Sequence, residues 1–147
     1  MSIPRDAERT TLVLIQSDLD DESPEVLAAV AERLLALGAR DVVRIPVVMK
    51  KGRLGTRIEV LAQEAHVEKL TGVLLRETST IGVRWWPVDR AALARESVKV
   101  EVDGASVRVK VAFADGVPVK AKAEADDVRG DRRLAREAER RALEGKP

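Results

Sequence analysis

A chain of 147 residues with 26 lysines and arginines against 25 aspartates and glutamates carries a formal charge of +1. That balance argues against attraction of the whole protein to nucleic acid or an anionic membrane, while leaving room for a local basic patch. The absence of cysteine and the single His66 exclude disulfides, thiolate metal sites and a histidine-rich metal centre within one chain.

Hydrophobic residues at 45% and charged residues at 35% describe one globular domain's worth of chain, with apolar runs no longer than a strand. No transmembrane or leader segment is expected, and a cytoplasmic location follows as the expectation. Thr11–Ile15 is a short continuous apolar run that reads as a buried strand. The acidic loop Asp18, Asp20, Asp21, Glu22 follows. Ser23, Pro24 and Glu25 then open a helix as N-cap, first-turn proline and acid at the positive helix end. Leu27, Val30, Leu34 and Leu37 recur at helical spacing until Gly38 stops the run.

A second strand carries Val43, Ile45, Val47 and Met49 on one face. A third alternates Ile58, Val60 and Ala62 with Arg57, Glu59 and Leu61. The short connection between them predicts an antiparallel hairpin. Residues 64–77 form a predicted helix with Val67, Leu70 and Leu74 inward, and Val83–Val88 a fourth strand. The order βαββαβ over residues 9–90 predicts an α+β, ferredoxin-like sandwich with two helices on one sheet face. Residues 91–147 read as an extension. Val98, Val100 and Val102 turn at Asp103-Gly104 into Val107, Val109, Val111 and Phe113, and Asp115-Gly116 leads to a further strand over Val117–Lys122. From Asp126 onward the pattern predicts one charged C-terminal helix.

Three segments carry candidate chemistry. Lys50, Lys51 and Arg53 lie with Gly52 and Gly55 where the second strand ends. Cations neutralise phosphate, and glycines let backbone N–H groups approach its oxygens. No Walker spacing is present, and hairpin turns also carry Lys and Gly for solubility and turn geometry, so both readings stand on spacing alone. The acidic loop offers hard oxygen ligands for Mg²⁺ or Mn²⁺, and equally suits capping of the helix behind it. Thr78, Ser79 and Thr80, flanked by Arg76 and Arg84, form either an oxyanion cradle or an ordinary turn. Trp85 and Trp86, adjacent on a strand, point to opposite faces, one toward the core and the other toward a base or a subunit interface. His66 reads as a surface residue without a ligand role. Lys110, Lys120, Lys122 and Glu124 fit solvated strand faces.

Taken in order, Asp18–Glu25, Pro46–Arg53, Arg76–Arg84 and Val107–Ala112 resemble the C-terminal domain of the LarC-type nickel insertion proteins, the nickel-pincer cofactor nickel chelatases. The resemblance implies a CTP-dependent enzyme that inserts nickel into pyridinium-3,5-bisthiocarboxylic acid mononucleotide. It implies that this domain binds CTP with Mn²⁺ or Mg²⁺, beside an N-terminal nickel-binding region or a separate chain, and that the protein is a homo-oligomer, with a hexamer as the expected size. Carried over residue by residue, it places the divalent cation on Asp20 and Asp21. Phosphates fall to Lys50, Lys51 and Arg53. Nucleotide or phosphate contacts fall to Arg76, Thr78, Ser79, Thr80 and Arg84, with Lys110 and Lys122 as basic positions on later strands. In Lys122–Val128 the family's aromatic and thiol are absent. A nucleotide-binding module without catalysis and a purely structural oligomer are the rival readings. Two Trp, one Phe and no Tyr leave too few aromatics for an RNA-stacking sheet.

Overall fold

The computed structural model describes residues 2–145 and divides into two compact units, Thr10–Arg90 and a second formed by the N-terminal segment with residues from Ala91 onward. The first unit contains most of β1 (Glu8–Leu19), then α1 (Pro24–Ala36), β2 (Asp41–Val48), β3 (Leu54–Ala62), α2 (Val67–Glu77) and most of β4 (Arg84–Ala92). Its four strands lie in the order β2-β3-β1-β4, the arrangement of a ferredoxin-like sheet. β3 runs antiparallel to both β1 and β2.

Period-2 alternation on the strands and the apolar stripes of the helices meet in one core. Ile15, Ile58 and Val60 from the sheet pack with Leu34 of α1 and Leu70 and Leu74 of α2. Ser23 caps α1 by accepting from the Val26 amide at 3.2 Å. Val43, Ile45 and Val47 share one face, as their spacing predicts. That face is the one turned from the helices, because their partners are Glu59, Arg57 and Gly55, whereas Val42 opposite Val60 reaches the core.

The second unit is a three-stranded antiparallel sheet of β5 (Ala94–Val102), β6 (Ala105–Ala114) and β7 (Val117–Ala123). Val100, Val102, Val107, Val109 and Val111 form its buried face, closed by Val128 and Ala138. The turns fall at Asp103-Gly104 and Asp115-Gly116, all four residues with positive φ. The Asp6 carboxylate accepts from the amides of Asp115 and Gly116 at 2.8 and 2.9 Å, tying the N-terminal segment to the second turn.

One expectation is corrected here. The C-terminal stretch is two helices, a single turn α3 (Ala125–Val128) and then α4 (Arg132–Leu143). Arg129 and Gly130 take left-handed φ values of 44° and 84°, and Asp131 starts a new helix by accepting from the amides of Arg133 and Leu134. A Gly-Asp pair is a stop followed by an N-cap, and here it outweighs the helix propensity around it.

Candidate functional site

The C-terminal end of β1, the β2–β3 turn and the loop after α2 meet at one end of the first unit. The turn is a single tight 3-10 helical turn over Lys50–Gly52, in which Lys51 and Gly52 have φ of 59° and 73°. It is closed by the Met49 amide donating to the Arg53 carbonyl at 2.7 Å and the Gly52 amide donating to the Met49 carbonyl at 3.2 Å. Lys50, Lys51 and Arg53 are all exposed, and neither lysine is ion-paired among the described residues. Two ammonium groups without a paired carboxylate among the described residues leave a net positive charge on this turn.

Asp20 and Arg53 join the acidic loop to this turn. Arg53 Nη2 lies 2.6 Å from Asp20 Oδ2. That contact is electrostatic rather than an aligned hydrogen bond, since Oδ2 is buried and lacks a hydrogen-bond partner of good geometry. Gly55 makes the approach possible. A Cβ there would sit 2.6 Å from the Leu19 carbonyl oxygen and 3.3 Å from Asp20 Cα, so only glycine lets β3 lie against the end of β1.

The hydroxyl loop docks on the same acids. Ser79 Oγ donates to Asp21 Oδ1 at 2.6 Å, and the Ser79 amide donates to Glu22 Oε2 at 2.7 Å. The neighbouring hydroxyls are engaged within the fold. Thr78 donates to the Leu74 carbonyl at 2.7 Å. Thr80 and the buried Ser17 hydroxyl lie 2.6 Å apart, each within 3.1 Å of the Gly82 carbonyl. One of the pair donates to the other, which donates to the carbonyl. Thr78 and Thr80 therefore hold the loop, and Ser79 alone faces the acidic side.

Arg84 turns onto the helix-free face of the sheet. There it donates to Gln16 and Asp18, both at 2.7 Å, while Arg57 donates to the two Asp18 oxygens at 2.7 and 3.0 Å. Gln16 completes the lattice by donating to Glu59 at 2.6 Å. The Asp18 carboxyl is held down at about 2, first by the Arg57 hydrogen bond and then by Arg84, against the opposing effect of its partial burial. Asp18, already held by two guanidinium groups, supports the site rather than offering itself as a ligand.

The remaining candidates lie elsewhere. Arg76 folds back over Gly72 of its own helix and makes none of the bonds of this cluster. Lys110 and Lys122 belong to the second unit, opposite each other on β6 and β7, and Lys110 is ion-paired with Glu124 at 2.6 Å. Trp85 and Trp86 take opposite faces, yet neither enters the core, at 55% and 38% exposure. β4 is an edge strand of this sheet, with β1 as its neighbour in the strand order. His66 is half-buried against Gly38, its Nδ1 3.1 Å from the Gly38 carbonyl. Sequence reasoning passed over Arg57 and the Glu22–Ser79 link. The register that sets Arg57 opposite Asp18 was the available signal for the first, and the second spans 57 residues.

The donor set can be tested against a divalent cation. Among the described residues no three carboxylate or imidazole groups converge on one point. Asp20 and Asp21 supply hard oxygens, and Asp20 has one that is buried and without an aligned donor. This fits a cation that draws its other ligands from phosphate oxygens and water, the usual habit of Mg²⁺.

Fold and site together define an α+β domain with a ferredoxin-like unit, on one end of which acidic, basic and hydroxyl segments are linked into a single ionic site. The family model described as nickel insertion protein matches residues 2–142, and the chain belongs to that family. It is 41% identical over 123 residues to a putative nickel insertion protein of Myxococcus xanthus, covering 84% of this chain and 32% of the relative. It is 40% identical over 128 residues to the pyridinium-3,5-bisthiocarboxylic acid mononucleotide nickel insertion protein of a Nocardioides species, covering 87% and 32%. The chain thus spans about a third of the length of these relatives. Among solved structures it is similar to LarC2, the C-terminal domain of a cyclometallase involved in synthesis of the NPN cofactor of lactate racemase. That match has a TM-score of 0.80 at 31% identity, covering 92% of this chain and 96% of the other. The fold and the LarC-type family that the motifs suggested are thereby established.

Proposed function

We propose that this chain is the CTP- and divalent-metal-binding domain of a protein that inserts nickel into pyridinium-3,5-bisthiocarboxylic acid mononucleotide. The observation that carries this reading is the Asp20–Arg53 contact, which sets the unpaired Lys50 and Lys51 beside the carboxylates of Asp20 and Asp21. A triphosphate needs cations along its length and a metal shared with carboxylates.

In this reading Lys50, Lys51 and Arg53 bind the phosphates, and Asp20 and Asp21 hold Mn²⁺ or Mg²⁺, which supplies charge neutralisation of the phosphates when bound. Ser79 orients Asp21. Thr78 and Thr80 keep the loop in place. Nickel is a substrate delivered by another region or chain, since this chain has no cysteine and one histidine.

A homo-oligomer is part of the proposal. Val48 and Leu54 flank the basic turn at 72% and 79% exposure, and Ile81 at the tip of the hydroxyl loop is fully exposed. Apolar side chains around a charged site suit burial by a second copy.

Calorimetric titration of the chain with CTP and then ATP, each with and without Mn²⁺, tests the reading. Metal-dependent CTP binding that disappears in the Lys50→Ala/Lys51→Ala variant is the expected result. Absence of binding by either nucleotide would overturn it for this chain.

A further inference from the structure

Arg53 lies on the carboxylate oxygen that a metal ion would also seek. Its Nη2 is 2.6 Å from Asp20 Oδ2, and that oxygen is buried without an aligned donor. The guanidinium is held there by charge and gains no directional hydrogen bond. The Arg53 side chain is 62% exposed and that of Asp20 only 22%. A positive group held so loosely, on an anionic atom so well enclosed, can be drawn off by a better partner.

The neighbouring acids leave a lone cation little to hold. Asp18 is taken by Arg57 and Arg84. Asp21 and Glu22 accept from the hydroxyl and the amide of Ser79. No three carboxylate or imidazole groups converge among the described residues. A divalent cation arriving by itself must therefore share Asp20 with a guanidinium, and the two positive groups repel each other. A cation arriving with a polyphosphate brings oxygen ligands of its own. Those phosphates also offer Arg53 a bidentate, charged acceptor in place of Oδ2, beside Lys50 and Lys51.

We infer that Arg53 is a specificity-determining residue of this site: it keeps free divalent cations off Asp20 and Asp21 and yields to a cation that comes with phosphate. The inference deepens the function proposed above and rests on it for the identity of the phosphate ligand. The exclusion matters most for nickel. Ni²⁺ binds oxygen and nitrogen ligands more tightly than Mn²⁺, so an unguarded acidic pair would take up the ion that the reaction consumes as substrate. Metal and nucleotide then bind with positive coupling, and Arg53 is its source.

Calorimetric titration of the untagged full chain with Mn²⁺ or Ni²⁺, each alone and with CTP, is the test. The parent binds either ion at least about tenfold more weakly alone than with CTP. In Arg53→Met both ions alone bind about tenfold or more tighter than to the parent, and the gain from CTP shrinks. Arg53→Lys, which keeps the charge, stays near the parent, and adding Asp20→Asn to Arg53→Met abolishes the gain. Melting temperature gives a second readout and shows that the variant is folded: Mn²⁺ alone raises that of Arg53→Met and barely moves that of the parent. Unaltered affinity for the lone ions in Arg53→Met overturns the inference. So does an equal gain in Lys51→Met, which removes the same charge from the same turn at a lysine not ion-paired with Asp20. If CTP fails to bind the parent while Arg53→Met gains the metal, the proposed function falls and the exclusion stands. CTP–Mn²⁺ binding by a parent that holds Mn²⁺ alone just as tightly does the reverse.

Discussion

The guanidinium of Arg53 stands 2.6 Å from a carboxylate oxygen of Asp20 that is buried and has no aligned donor. A carboxylate so placed requires a positive neighbour, and Arg53 supplies it from across a turn. Asp20→Asn removes the charge that a metal would use and releases Arg53. Mn²⁺-supported CTP binding is expected to weaken by about tenfold or more, while metal-free binding changes little. Calorimetry with and without Mn²⁺ reads both, and an unchanged metal dependence would remove Asp20 from the site.

Gly55 is a structural requirement of the same contact. In Gly55→Ala the new Cβ meets backbone, the Leu19 carbonyl oxygen at 2.6 Å and Asp20 Cα at 3.3 Å, so β1 and β3 must separate locally. A loss of about 1–3 kcal/mol is expected, with a fall in CTP affinity larger than Gly52→Ala produces. Gly52 has open space around it and a φ of 73°, so alanine there brings only backbone strain. Denaturant midpoints compare the two variants, and equal stability of Gly55→Ala and the parent would refute the packing argument.

The Asp18 lattice predicts an acid limit. Its carboxyl titrates at about 2 in the folded chain against an ordinary 3.8. A folded value below the unfolded one means the stabilisation is complete above about 3.8 and drains away as the pH falls toward about 2. Asp127, bound by Arg108, is likewise held at about 2 and adds the same dependence to the second unit. Melting temperatures recorded from about pH 5 downward should fall in this window. In Asp18→Asn the fall should be shallower from a lower starting point, and a slope identical to the parent's would exclude Asp18 as a contributor.

Ser17 is fully buried, and its hydroxyl joins Thr80 and the Gly82 carbonyl. Removing it in Ser17→Ala leaves Thr80 to satisfy that carbonyl alone. The expected cost is about 1–2 kcal/mol, together with faster amide exchange at Ser79 and Gly82. Exchange measured by NMR checks this. Unchanged protection in the loop would show that the acids alone hold it.

Most of the fold was legible because it rests on local rules. Alternation at Ile58, Val60 and Ala62, the Ser23-Pro24 start of α1 and the Asp-Gly turns at 103 and 115 each depend on neighbours in sequence. The acidic loop, the Lys50–Arg53 turn and Ser79 were also visible as segments, and the family resemblance arranged them as one site. The chain by itself determined which residue types were present and in what order.

Tertiary structure decided which of them meet. Register alone puts Arg57 opposite Asp18, turning an apparent ligand into the centre of an arginine lattice. The closeness of β1 to β3 at Gly55 brings Asp20 to Arg53, and the edge position of β4 keeps Trp85 out of the core. Charge and hydroxyl positions carry no local periodicity of their own, so their partners follow from strand order and packing, and those are properties of the folded chain.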